Sequence, residues 1–306
     1  MSEVAVARGA TKWYGEVLGL NGFSATFGPG ITGLVGPNGA GKTTLFRVLV
    51  GQLRLDAGDA TVLGRPAWNT PAKNRDVGYC PEHHHLYGWM SAEEFVRSLL
   101  QLDGFPREEA EKRALRALRE VDLMEARGRK LRTFSRGMRQ RVKLAQALAH
   151  DPKLVILDEP LSGTDPVGRV KIIELLRRIA AEGRHVIVSS HVLYEVERLT
   201  NAIVLMTNGR AIAQGDLHRI RDLIDEHPHT VELETPEPRK LAQALARWDD
   251  VMVVDLSAPD RVTIRTRAPD RFYEALPRFV AETRLPITGV RSPDDSLEAV
   301  FRYLVR

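Results

Sequence analysis

The chain has 306 residues, 43% of them hydrophobic and 27% charged, with a net charge of +4 and one cysteine, Cys80. That length suggests two domains, and the composition is that of a folded globular protein rather than a disordered, collagen-like or low-complexity one. A single cysteine excludes an internal disulfide and a cysteine-rich zinc site, no apolar run approaches the roughly 18 residues of a membrane span, and the opening MSEVAVARGATKWYG lacks the charged-then-apolar order of a secretory signal, so the chain is expected in the cytoplasm.

In chain order, EVAVAR and GFSATF read as short strands between turns, and ITGLV, residues 31–35, as a compact buried strand. That strand runs into Gly36, Pro37, Asn38, Gly39, Ala40, Gly41, Lys42, Thr43 and Thr44, which fit the phosphate-binding spacing G-x-x-x-x-G-K-[ST]. In such a loop backbone N–H groups cradle phosphates, Lys42 reaches the terminal ones and the Thr43 hydroxyl holds Mg²⁺. KTTLFRVLVGQL follows with helical character and closes near Gly51. Strand, glycine loop and helix together are the context the motif requires.

Residues 91–150 read as helical. SAEE, Ser91 to Glu94, is a capping box; PREEAEKRALRALREVDLM repeats apolar positions at helical spacing; and SRGMRQRVKLAQALAH starts another helix ahead of Asp151-Pro152. Between Arg127 and Lys143 there are eight Lys or Arg and no acid. Solvated charge around a helix start explains that run more simply than a nucleic-acid or anionic-lipid surface. His83, His84 and His85 point to alternate sides in an extended stretch, which suits a chelating cluster poorly.

The strands KLVILDEP and RHVIVSSH bracket the helical VGRVKIIELLRRIAAEG. Alternating strands and helices around a glycine loop indicate an α/β fold with a mainly parallel sheet, interrupted here by the helical block. Asp158 and Glu159 end an apolar strand, where a first carboxylate helps hold Mg²⁺ and a second takes a proton from an attacking water. His191 follows its own strand at the edge where a parallel sheet presents ligand-binding ends. After Gly215, TVELET, VMVVDL and RVTIRT alternate with helical stretches and prolines up to DSLEAVFRYLV, without a chemical motif. The expected organisation is a nucleotide-binding domain over 1–215, a linker over 216–228 and a small α+β accessory domain, dimerising or regulatory, over 229–306.

FSRGMRQRVKLAQAL resembles the signature segment of ABC-transporter ATPase subunits, whose usual core is L-S-G-G-Q, and LSGTDP resembles the segment after that family's paired acids. The resemblance spans roughly residues 3 to 215 with every element in order. It implies a P-loop NTPase with an N-terminal antiparallel β subdomain and a helical signature subdomain, with ATP and Mg²⁺ as cofactors. By the same resemblance Tyr14 stacks on adenine, and Ser135, Arg136 and Gly137 form the signature contact to the γ-phosphate of an opposite subunit. Asp165 connects the two sites, Glu159 is the general base and His191 steadies the γ-phosphate and the water.

Two positions depart from the family pattern: Glu82 stands where a Mg²⁺-contacting glutamine is usual, and Arg136 replaces the middle glycine of the signature. A carboxylate at 82 still reaches Mg²⁺ but adds charge near the triphosphate, and the Arg136 side chain is expected to point to solvent. The implied partners are a second nucleotide-binding subunit, as a homodimer, and a separate transmembrane permease docking around Leu86, Tyr87, Trp89 and Met90, with no nucleic acid. The implied place is the cytoplasmic face of the cell membrane. The C-terminal residues resemble, more weakly, the extra domain of bacterial exporter ATPases. A soluble ABC ATPase acting on ribosomes or nucleic acid is the alternative; it is disfavoured by the single phosphate loop and the absence of a long heptad insertion.

Overall fold

The apolar runs ITGLV, LVIL and HVIVSS are too short for helices and rich in β-branched residues, and each forms a strand whose residues are almost all buried. In the computed structural model, which describes residues 3–83, 86–217, 220 and 229–292, the chain divides into two units, 1–216 and 217–306. The first holds β1 (Ala5–Tyr14), β2 (Val17–Phe27), β3 (Ile31–Val35), α1 (Lys42–Leu49), β4 (Ala57–Val62), β5 (Arg65–Pro66), α2 (Pro71–Asn74), β6 (Val77–Cys80), α3 (Ala92–Leu102), α4 (Arg107–Glu120) and α5 (Arg136–Leu148). It continues with β7 (Leu154–Leu157), α6 (Pro166–Ala181), β8 (His185–Ser190), α7 (Leu193–Glu197), β9 (Ala202–Thr207) and β10 (Arg210–Asp216).

Six strands form the central sheet in the order β10-β9-β3-β8-β7-β6, all parallel except β10. A separate antiparallel sheet, β2-β1-β4-β5, covers the N-terminal part. Its first two strands run to 10 and 11 residues, longer than the short runs read from the sequence. Gly9 and Gly22, at φ of 57° and 61°, sit where the β1–β2 register shifts. Bulges at these glycines carry the pairing through what looks locally like a turn.

The helical block packs α3, α4 and α5 around Phe95, Val96, Leu100, Ala114, Leu118 and Leu144. The capping box is formed: Ser91 accepts from the Glu94 N–H and Glu94 accepts from the Ser91 N–H. The second unit is α+β: β11 (His229–Glu234), α8 (Pro238–Leu245), β12 (Val251–Ala258), β13 (Arg261–Thr266), α9 (Pro269–Thr283) and β14 (Gly289–Arg291) form an antiparallel sheet β12-β13-β11-β14 with two helices. Its core contains Val231, Leu233, Leu241, Ile264 and Phe272. His84, His85, most of the linker and the segment DSLEAVFRYLV lie outside the described residues.

Candidate functional site

Neighbouring strands β3, β8 and β7 end side by side, and a parallel sheet binds ligands beyond its carboxyl ends. From these ends come the phosphate loop, His191 and the pair Asp158–Glu159. The loop tolerates no side chain at two points: a Cβ at Gly36 would collide with the Met206 carbonyl, and one at Gly41, whose φ is 103°, with the Gly19 carbonyl. Lys42 opens α1 and is buried; its ammonium donates to the carbonyls of Gly36 (2.7 Å) and Pro37 (3.2 Å).

Asp158 is fully buried, and both its oxygens are used. Oδ2 accepts from the Thr43 hydroxyl at 2.7 Å, and Oδ1 from the Ser189 hydroxyl at 2.7 Å. The same Ser189 oxygen accepts from the Glu159 N–H at 2.9 Å. Glu159 has φ of 50°, a left-handed conformation that costs a non-glycine residue about 1–3 kcal/mol and persists only where surroundings over-determine it. Its carboxylate lies between two cation-capable groups, with Lys42 Nζ 3.3 Å from Oε1 and His191 Nδ1 2.9 Å from Oε2.

Thr43 and Asp158 thus present adjacent hard oxygens, the donor type that Mg²⁺ takes. Glu82 is placed differently from these two. Its carboxylate faces His83 at 3.5 Å, while its backbone carbonyl and that of Pro81 accept from the Lys143 ammonium at 2.7 and 3.1 Å. Lys143 is buried, and burial lowers its pKa. Burial likewise pushes the Cys80 thiol up to about 12, so it stays protonated. Tyr14 is half exposed beside the loop: its hydroxyl lies 3.4 Å from the Thr44 hydroxyl, and its ring covers Gly19.

The remaining candidates gather elsewhere. Ser135 caps α5, its oxygen accepting from the Met138 N–H at 3.2 Å. Gly137 faces Asp165, with the Asp165 Oδ2 4.0 Å from where a Cβ would stand. Asp165 caps α6 by accepting from the Gly168 N–H at 2.8 Å, and that bond holds its carboxyl below the usual range. Arg136 is exposed, yet its guanidinium lies back over Gly163 rather than extending freely into solvent. Arg136, Glu82, Lys143 and Glu159 line one cavity of about 330 Å³, so the two departures from the family pattern share it. Among the described residues, Ser135, Gly137 and Asp165 form no hydrogen bond with the phosphate loop, Glu159 or His191.

Ser189, Ser190 and Lys143 were given no role by the sequence. The doublet in VIVSSH, at the end of a buried strand, was the available signal for the serines, since a buried hydroxyl there needs partners.

A family model described as ABC transporter matches residues 20–162. The Nod factor export ATP-binding protein I of Rhizobium sp. (strain N33) is 33% identical, over 94% of this chain and 98% of its own length. The chain belongs to the ABC transporter ATP-binding proteins. Another ABC transporter ATP-binding protein, an uncharacterized one of Synechocystis sp. (strain ATCC 27184 / PCC 6803 / Kazusa), is 38% identical over 70% of this chain; the chain spans 60% of that relative's length. Among solved structures, an ATP binding subunit of an ABC transporter is similar with a TM-score of 0.65 and 29% identity, covering 72% of this chain and 93% of that one. The fold of this ABC protein is accordingly that of a P-loop NTPase cassette, with a small α+β unit after it.

Proposed function

We propose that this chain hydrolyses ATP to drive a transporter whose membrane-spanning permease is a separate polypeptide. One observation carries the reading: the Glu159 carboxylate stands between Lys42 and His191, next to the Thr43–Asp158 pair, at the mouth of the phosphate loop. Gly36 to Thr44 bind the triphosphate, Lys42 neutralises its terminal charge, and the exposed Tyr14 ring supports the adenine. Thr43 and Asp158 hold Mg²⁺, which supplies positive charge to the phosphate oxygens. Glu159 accepts a proton from the attacking water, and His191, hydrogen-bonded to Glu159, orients the carboxylate and the γ-phosphate. A positioned base of this kind contributes about 10²- to 10⁴-fold in rate.

Ser135 and Asp165 are exposed, Gly137 lies beside Asp165, none of the three is hydrogen-bonded to the chain's own loop among the described residues, and they complete the site of a second copy. The start of α5 brings unpaired N–H groups and a positive dipole end toward that copy's γ-phosphate. ATP then holds two subunits together and hydrolysis releases them. The exposed Tyr87 and Trp89 offer the apolar surface for the permease, and no helix among the described residues is long and apolar enough to cross a membrane. Likeness to a Nod factor export protein favours export, with the subunit placed on the cytoplasmic face of the membrane.

Cations of the basic run have partners within the chain. Arg127 and Lys130 pair with Glu93 and Glu94, and Arg139, Arg141 and Lys143 donate to backbone carbonyls. The test is a steady-state and single-turnover ATPase assay. Lys42→Ala is expected to lose tight ATP binding, while Glu159→Gln binds ATP and turns it over about 10²-fold or more slowly. Equal, near-normal turnover in both variants would contradict the assignment.

A further inference from the structure

Glu195 is a buried carboxylate with no part in the chemistry above, and its two oxygens face two different segments of the site. Oε1 lies 3.1 Å from Nη1 of Arg169, in the first turn of α6. Oε2 accepts from the Ser190 hydroxyl at 3.0 Å. Glu195 is 8% exposed and Ser190 3%, so neither is a solvated surface group. The Arg169 side chain is 43% exposed, its Nε is buried without a hydrogen-bond partner, and Glu195 is the carboxylate its guanidinium meets. A buried carboxylate is costly unless its partners hold it, and here Arg169 and Ser190 do.

Each end of this link meets a residue already placed in the site. Arg169 donates its backbone N–H to the Asp165 carbonyl at 2.9 Å, so its helical turn begins at Asp165. Ser190 immediately precedes His191; its hydroxyl accepts from the Val192 N–H at 3.0 Å and so closes a turn around the histidine. The Ser190 carbonyl accepts from the Gly36 N–H at 3.2 Å, tying the same residue to the phosphate loop.

We propose that Arg169 and Glu195 are positioning residues that transmit the placement of the Asp165 turn to His191, through Ser190. The proposal rests on the hydrolytic reading of the site. Contact between subunits at Asp165 then fixes the register of α6, Arg169 fixes the Glu195 carboxylate, and Ser190 sets the turn that aims the imidazole at Glu159. Small displacements of a reacting group cost about 10²-fold per ångström, so a loosened link lowers turnover without touching ATP.

The test uses the full chain with Arg169→Met, Arg169→Lys, Glu195→Gln and the double variant Arg169→Met/Glu195→Gln. The double variant removes both charges but keeps an acceptor for Ser190, so it is expected to unfold at nearly the wild-type temperature. Its kcat is expected to fall about 10-fold, with the KM for ATP within about twofold of wild type. Arg169→Lys is expected to recover most of the turnover. A parallel readout needs no catalysis: the His191 imidazole resonance, assigned by its loss in His191→Ala, should move in the double variant and return toward wild type in Arg169→Lys.

A double variant with wild-type kcat and an unmoved His191 resonance would overturn the proposal, because the pair would then serve stability alone. So would a kcat that follows the melting temperature across all four variants. If the wild-type chain itself fails to hydrolyse ATP, the functional reading falls, and the His191 resonance still decides whether the link exists.

Discussion

Ser189→Ala removes one hydroxyl that serves both candidate acids, and its cost follows from the structure. Ser189 is fully buried. Without it Asp158 Oδ1 loses a 2.7 Å donor and the Glu159 N–H loses a 2.9 Å acceptor. A hydrogen bond to a charged group contributes about 1.5–3 kcal/mol, and a buried N–H left unpaired costs about 1–3 kcal/mol. The two share one atom, and Thr43 still serves Asp158 through its other oxygen, so a combined loss of about 3 kcal/mol is expected rather than the full sum. At roughly 2–4 °C per kcal/mol for a unit of this size, the melting temperature falls by about 6–12 °C. The same N–H holds Glu159 in its left-handed conformation, so turnover should drop by more than about 10-fold, while ATP affinity, set by the intact loop and Lys42, changes less. Calorimetry and an ATPase assay on wild type and variant measure both effects. A variant with unchanged melting temperature and normal kcat would show that Ser189 does not position the acids.

Lys73 provides a pH-dependent counterpart. It is buried, its ammonium donates to the Leu49 carbonyl at the end of α1, and burial lowers its pKa from 10.5 to about 8. The folded state therefore binds fewer protons than the unfolded one between these values, so this group's contribution to stability rises with pH from about 8 to about 10.5, by about 3 kcal/mol in all. The stability difference between wild type and Lys73→Met, measured by urea unfolding, should shift by that amount across the window; a constant difference would refute it. Ser135→Arg should lose ATP-dependent dimerisation in the Glu159→Gln background while losing only the N-cap, about 1 kcal/mol of stability. Persistent dimerisation with ATP on size-exclusion chromatography would remove Ser135 from the interface.

Much of the frame of the candidate site is legible in local pattern. ITGLV, the glycine loop and the capping box at Ser91–Glu94 each depend on neighbours within a few residues, and the structure forms all three. The structure brings Asp158, Glu159 and His191 to neighbouring strand ends, which the sequence marks by the change from apolar to polar residues. What escaped depends on residues far apart in the chain. Ser189 meets Asp158 across 31 positions and Lys143 meets Pro81 across 62, and neither a serine in a strand nor a lysine in a helix signals such a partner. Glu82 has a partner of the same kind: the Lys143 ammonium holds its backbone carbonyl across 61 positions, a contact that its place in the chain does not signal. β1 and β2 were read short because their glycines resemble turns until pairing across the sheet turns them into bulges.

The most direct test of the central claim is to capture Glu159→Gln, with ATP and Mg²⁺ present, from detergent-solubilised cells that produce it, and to identify its partners by mass spectrometry. One polytopic membrane protein, absent when Lys42→Ala is captured under the same conditions, is the predicted result. Ribosomes or nucleic acid recovered without any membrane protein would contradict the transporter account.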